Sequence, residues 1–187
     1  MTRKTVTELY TQATNSFADN VTGAITPVLL RAFCLDFLDT IRPSYASITA
    51  PNGTSKAATT VYSSFTWQNV VAAQTPDYSV SLASGTVTRG NGPASARIFF
   101  SIDAQAPNNI ITSFALFVNG VETPWASSNT STSSTDVQSY AFSAVTYTAD
   151  LNIDYQVRIK VNANNNVILS NGALVVENVL INTNQGT

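Results

Sequence analysis

Histidine is absent from this 187-residue chain, and cysteine occurs once, as Cys34. The first absence removes the commonest general base and metal ligand, and with them the usual serine and cysteine triads. The second excludes an intrachain disulfide framework. Charge is also scarce. Asp, Glu, Lys and Arg make up 11% of the residues, against roughly 25% in an average soluble protein. Net charge is −2, with no basic stripe and no acidic tail, so neither nucleic acid nor an anionic membrane surface is an expected partner. No apolar run approaches the roughly 18 residues of a membrane span. The greasiest stretch, Val28 to Leu38, is interrupted by Arg31 and Asp36. Arg3 and Lys4 have no apolar segment behind them, so no secretory signal is expected.

Ser, Thr and Asn stand where charge is missing, and these residues suit sheet surfaces and turns. From about residue 61 the apolar side chains alternate with period two. Ile98, Phe100 and Ile102 share one face, as do Phe114, Leu116 and Val118. Tyr140, Phe142 and Ala144 repeat the pattern, and Tyr155, Val157, Ile159 and Val161 show it most cleanly. Asn119-Gly120 is a strong hairpin signal. Pro124 blunts the strand returning from Val121 and marks an edge or a strand end, and Asn171-Gly172 reads as a further turn. Seven or eight short strands with no helix between them predict a mainly β fold, an antiparallel two-sheet sandwich.

One helix precedes this region. Thr26 is a good N-cap, Pro27 suits the first turn, and Pro43 stops the helix just after Arg42. At 100° per residue, Leu29, Leu30, Phe33, Cys34, Phe37, Leu38 and Ile41 cover about half the circumference. That is more apolar surface than one contact needs, so the helix is expected to meet its own copies or a socket on a partner. Cys34 is expected to be a small buried residue. Residues 1–25 fit a weak helix (Leu9, Ala13 and Phe17 at i, i+4, i+8) or an extended arm equally well. Residues 44–60 are small and polar, with a Pro51–Gly53 turn signal, and read as a neck. The expected organisation is an anchor arm and helix at 1–43, a linker at 44–60 and a β domain at 61–187.

No stretch carries a complete catalytic or cofactor pattern. Asp150, Asn152 and Asp154 open like a calcium loop, but Tyr155 and Val161 stand where Gly and a bidentate Glu are needed. "VTRGNGPAS" lacks the Lys and the following helix of a phosphate loop. No cofactor, metal or catalytic residue is expected. Two aromatics stand apart. Phe117 is out of phase with Leu116 and Val118 and should face the opposite side of its sheet; Trp125 follows Pro124. An outward aromatic on a sandwich serves a subunit interface, a ligand platform or a contact under a loop.

Two stretches carry a family resemblance. "SFALFVNGVETP" resembles the hairpin of TNF/C1q-like jelly rolls, and "DYQVRIKVNANNNVILSNGALVVENVLI" is similar to their closing strand pair. That resemblance implies a jelly roll and a homotrimer packed through aromatic and aliphatic faces. "DNVTGAITPVLLRAFCLDFLDTIRP" resembles a segment near the N-termini of bacteriophage structural and fibre proteins, matched at Asp19, Asn20, Thr22, Gly23, Ile25, Thr26 and Pro27. Together they imply a non-enzymatic virion component, a head fibre, decoration protein or neck/collar appendage. Its N-terminal segment would dock on a capsid, neck or tail protein. The alternative is a receptor-binding tip that meets a host-surface glycan.

Overall fold

The computed structural model describes residues 6–16, 26–41, 44–50, 53–73, 77–90, 95–147 and 152–179. Two helices come first, α1 (Val6–Ser16) and α2 (Pro27–Ile41). The start of α2 follows its caps: the Leu29 amide donates to Thr26 Oγ1 at 3.3 Å and the Leu30 amide to the Thr26 carbonyl at 3.1 Å. The residues before Thr26-Pro27 that belong to the phage-like segment, Asp19 to Ile25, lie outside the described residues, as do Arg42 and Pro43 at its end.

Eleven strands follow among the described residues: β1 (Tyr45–Thr49), β2 (Thr54–Ala58), β3 (Asn69–Ala73), β4 (Tyr78–Ser81), β5 (Thr86–Arg89), β6 (Ser95–Gln105), β7 (Ile111–Val118), β8 (Val121–Thr130), β9 (Val137–Tyr147), β10 (Ile153–Val161) and β11 (Asn165–Val179). They form two antiparallel sheets. The first runs β3-β1-β11-β6-β9, with β2 also paired to β11; the second runs β4-β5-β10-β7-β8. The alternating residues that the sequence marks as inward meet between the sheets: Ile98, Phe100 and Ile102 from β6, Phe114 and Leu116 from β7, Tyr155, Val157 and Ile159 from β10. The Phe114 ring lies edge-on to both Phe65 and Tyr140, with centroids 6.0 and 4.9 Å away. The fold is a two-sheet jelly-roll sandwich preceded by short helices.

Two local readings differ from expectation, and a third is resolved. Residues 44–60 are not a loose neck, because they contain β1 and β2. These short strands share one edge of β11: β1 pairs with its residues 173–177 and β2 with 165–169. Ser and Thr side chains reveal little about burial, and these strands exist because β11 offers a free edge. Asn171-Gly172 is not a hairpin turn. The strand continues through it, and the register against β6 shifts between Ser170 and Ala173. Asn171 takes φ 50°, so the dipeptide builds a bulge rather than a reversal. Of the two readings of Pro124, edge or strand end, the edge holds: β8 lies at the margin of its sheet and runs on through the proline. On β8 the register jumps from Ala115↔Ala126 to Phe117↔Glu122, so three residues, Thr123 to Trp125, stand opposite Leu116. The proline sits in that bulge on an edge strand, where its missing N–H leaves no ladder bond unmade.

Candidate functional site

Three surfaces bring together the residues that the sequence singles out. The first is α2. It packs against α1, whose Leu9 is buried, and neither sheet is covered by it to a comparable extent. Val28 is 72% exposed, and Leu29, Leu30, Leu35, Phe37 and Leu38 are exposed with it. Phe33 is partly covered and stacks on Phe37 at 6.5 Å. Ile41 ends the helix, and its side chain lies outside the described set. Cys34 is exposed, contrary to expectation, because no element among the described residues covers that side of the helix. A free helix of 15 residues is only marginally stable in water. Each large apolar side chain left in solvent also forgoes about 1.5–3 kcal/mol of burial.

The second surface is the outer face of the first sheet. Register places Tyr45, Glu177, Arg97 and Val145 in one row across β1, β11, β6 and β9. Ser47, Val175, Phe99 and Ser143 form the next row. Phe99 is 42% exposed and Tyr147, further along β9, is 64% exposed. Arg97 Nη1 pairs with Glu177 Oε1 at 3.3 Å, and its guanidinium carbon lies 6.0 Å from the Phe99 ring centre. An open groove of about 270 Å³ runs along this edge, lined by Arg97, Phe99, Trp125, Ser143, Ala144 and Val145. Trp125 reaches it because the β8 bulge turns the indole towards β9. It is half-buried against the core rather than standing on an outer face.

Phe117 lies elsewhere, on the outer face of the second sheet, opposite Phe114 and Leu116. It is only 6% exposed. Tyr62, from the segment linking β2 to β3, meets it edge-on with centroids 5.4 Å apart. That segment is pinned to β10 by reciprocal amide-to-carbonyl bonds between Ser63 and Ile159, both 2.9 Å. Arg158 lies over the Phe117 ring at 4.3 Å and Lys160 over Tyr62 at 4.2 Å. Alternation along β10 shows both cations on one face, but Tyr62 sits more than 50 residues away in sequence and could not be linked to them by pattern.

No group of three or more His, Cys, Asp or Glu able to hold a metal occurs among the described residues. Asp154, from the calcium-like stretch, instead accepts the Thr88 hydroxyl at 2.6 Å, while its amide donates to Asn119 Oδ1 at 2.8 Å. Hydrogen bonds from Ser139, and then from Asn171, hold the Asp103 carboxyl below its ordinary range. Burial raises the Tyr140 phenol. Both shifts follow from local packing. No helix is long and apolar enough to cross a membrane among the described residues.

No protein-family model matches the sequence. No curated protein matches it significantly. Solved structures do match the fold. The globular domain of zebrafish complement 1qA aligns with a TM-score of 0.54 at 9% identity, over 74% of this chain and 98% of that one. The Eiger TNF of S. frugiperda gives 0.57 at 13% identity, over 78% and 99%. Murine APRIL at pH 5.0 gives 0.52 at 16% identity, over 74% and 100%. The chain therefore has a TNF/C1q-like jelly-roll fold. At these identities the likeness is one of architecture.

Proposed function

We propose that this chain is a non-enzymatic structural protein of a bacteriophage virion, a head fibre, decoration protein or neck/collar appendage. In this reading α1 and α2 dock on a capsid, neck or tail protein and the jelly roll projects as a homotrimer. The observation that carries it is α2, an apolar helix that leaves most of its large side chains in solvent beside a sandwich that is already complete. Such a helix needs an occupant, and the phage-like segment running into it supplies the context. Trimers are typical of TNF/C1q-like domains, and the outer face of the first sheet offers Phe99, Val145, Tyr147 and Tyr45 as an aromatic and aliphatic contact surface. Labelling the protein on intact particles and imaging them tests the proposal. Label at discrete virion positions is expected; particles without label would overturn it.

A second reading, a host-surface adhesin that binds glycan, is favoured by the second sheet. Assembly through the first sheet leaves the opposite outer face, with Arg158 and Lys160, pointing outwards. A glycan array with the purified protein tests this reading, and silence across neutral and acidic glycans would sink it.

A further inference from the structure

We propose that the outer face of the second sheet binds the carboxylate groups of an acidic glycan, with Arg158 and Lys160 as its contacts. This deepens the adhesin reading and rests on it, but it is independent of any place on a virion.

The argument starts from charge. The chain has only nine Lys and Arg, yet two of them stand two residues apart on one face of β10. Among the described residues neither has an ion-pair partner, although Glu122 is on the same face, cross-strand from Phe117. Two residues along a strand separate the cations by about 7 Å.

Arg158 is also held in one orientation. Its Nε donates to Gln156 Oε1 at 2.5 Å, and the ring of Phe117 supports its plane. Gln156 is fixed in turn, since its Nε2 donates to the Ser84 carbonyl at 2.5 Å. With Nε engaged, the two terminal nitrogens are left to grip a carboxylate in the bidentate manner that guanidinium favours. Ordering this side chain in advance lowers the entropy cost of binding.

The ground beside the cations is low, and beside Lys160 it is polar. Register sets Lys160 beside Ser113 and Ser128, and Arg158 beside Ala115 and Ala126. Ser113 and Ala115 are themselves buried, so the exposed Ala126 and Ser128 of β8 form the step beside the cations along which a chain can lie. The Ser128 hydroxyl donates to Ser113 Oγ at 2.7 Å, and such hydroxyls suit sugar hydroxyls.

Other anionic partners fit less well. Phe117 is buried beneath its cation, so the face lacks the open aromatic anchor of a protein hot spot. Two cations on a chain of net −2 neutralise too few phosphates for nucleic acid.

The test is binding of the full chain to polygalacturonate, dextran and polyglutamate at low and high salt, by biolayer interferometry. Binding to polygalacturonate but not dextran is expected, weakened about tenfold by Lys160→Gln and further by Arg158→Gln. Lys56→Gln, which removes the same charge elsewhere, should bind like the parent. Lys160→Gln touches no hydrogen bond of the patch, so it remains informative if Arg158→Gln fails to fold. Binding to dextran alone would overturn the carboxylate inference while leaving the adhesin reading intact. Binding to neither polysaccharide would overturn the carboxylate inference, whereas the adhesin reading falls only with silence across the whole glycan array. Equal affinity for polyglutamate, or no effect of Lys160→Gln, would also overturn the inference.

Discussion

Gly172 shows how much one hydrogen can decide. A Cβ at this position would meet Ala50 and crowd Ile102 Cγ1 at 2.9 Å, where β11 bulges between β1 and β6. Gly172→Ala should therefore cost about 1–3 kcal/mol through overpacking, read as a lower urea midpoint with an unchanged slope. An unaltered midpoint would mean that the bulge opens without strain. The same bulge helps to hold the Asp103 carboxyl low: the Ser139 hydroxyl donates to it at 2.6 Å, and Asn171 Nδ2 from the bulge at 3.0 Å. Ser139→Ala should raise the Asp103 pKa towards the ordinary 3.8, measured by NMR titration. The sign follows from linkage: a carboxyl held low in the folded state stabilises above its ordinary pKa and loses that contribution as pH falls through the folded value. The side chain is near solvent, so the effect on stability is small. At this scale the dipeptide Asn171-Gly172 is plain in the sequence, but its use is not. Left-handed Asn and a small neighbour serve a bulge as well as a turn, and only the partner strands choose between them.

The helices and the short strands differ in how far local chemistry determines them. α2 begins where Thr26 and Pro27 place it, because caps act within one turn. Its independence from the sandwich gives a clear expectation. The triple variant Leu30→Gln, Phe37→Gln, Leu38→Gln should leave the jelly-roll unfolding transition within about 0.5 kcal/mol of the parent, and on the virion proposal it should abolish attachment to particles. Calorimetry and a particle-incorporation assay measure the two effects separately. A large fall in the transition would place α2 in the sandwich core. The long strands are equally legible, since Tyr155 to Val161 alternate without interruption. β1 and β2 are not. β2 carries almost no apolar period and β1 only the pair Ala46 and Ile48, and both become strands by completing the edge of β11. β8 passes through Pro124 for a similar reason: the bulge opposite Leu116 is a property of the pair β7–β8, and no single strand encodes it.

For the whole molecule, the assembly proposal makes the outer face of the first sheet the sensitive one. Light scattering should give a mass near three times the chain's 19.9 kDa. Phe99→Glu should shift that to a single chain with unchanged circular dichroism, because Phe99 is exposed and outside the core. A parent protein that is strictly monomeric at micromolar concentration would rule out the trimer. Phe117→Ala is the contrasting case. It removes the ring beneath Arg158 and beside Tyr62, so it should cost about 2–4 kcal/mol in urea unfolding and leave assembly intact. Equal effects of the two substitutions on assembly would show that both faces are interfaces.

By itself the sequence determined the layers of this protein. Period-two alternation marks the inward face of each long strand, capping residues bound α2, and the lack of His and of clustered carboxylates bears on chemistry wherever the chain folds. These are local or compositional properties, readable without neighbours. The tertiary structure alone decided that 44–60 are strands, that Trp125 turns towards β9, and that Tyr62 crosses the second sheet to cover Phe117 beside two cations. Each depends on contacts between residues far apart in the chain. Such contacts are chosen by the free edges and open faces that other strands leave, which no local pattern records.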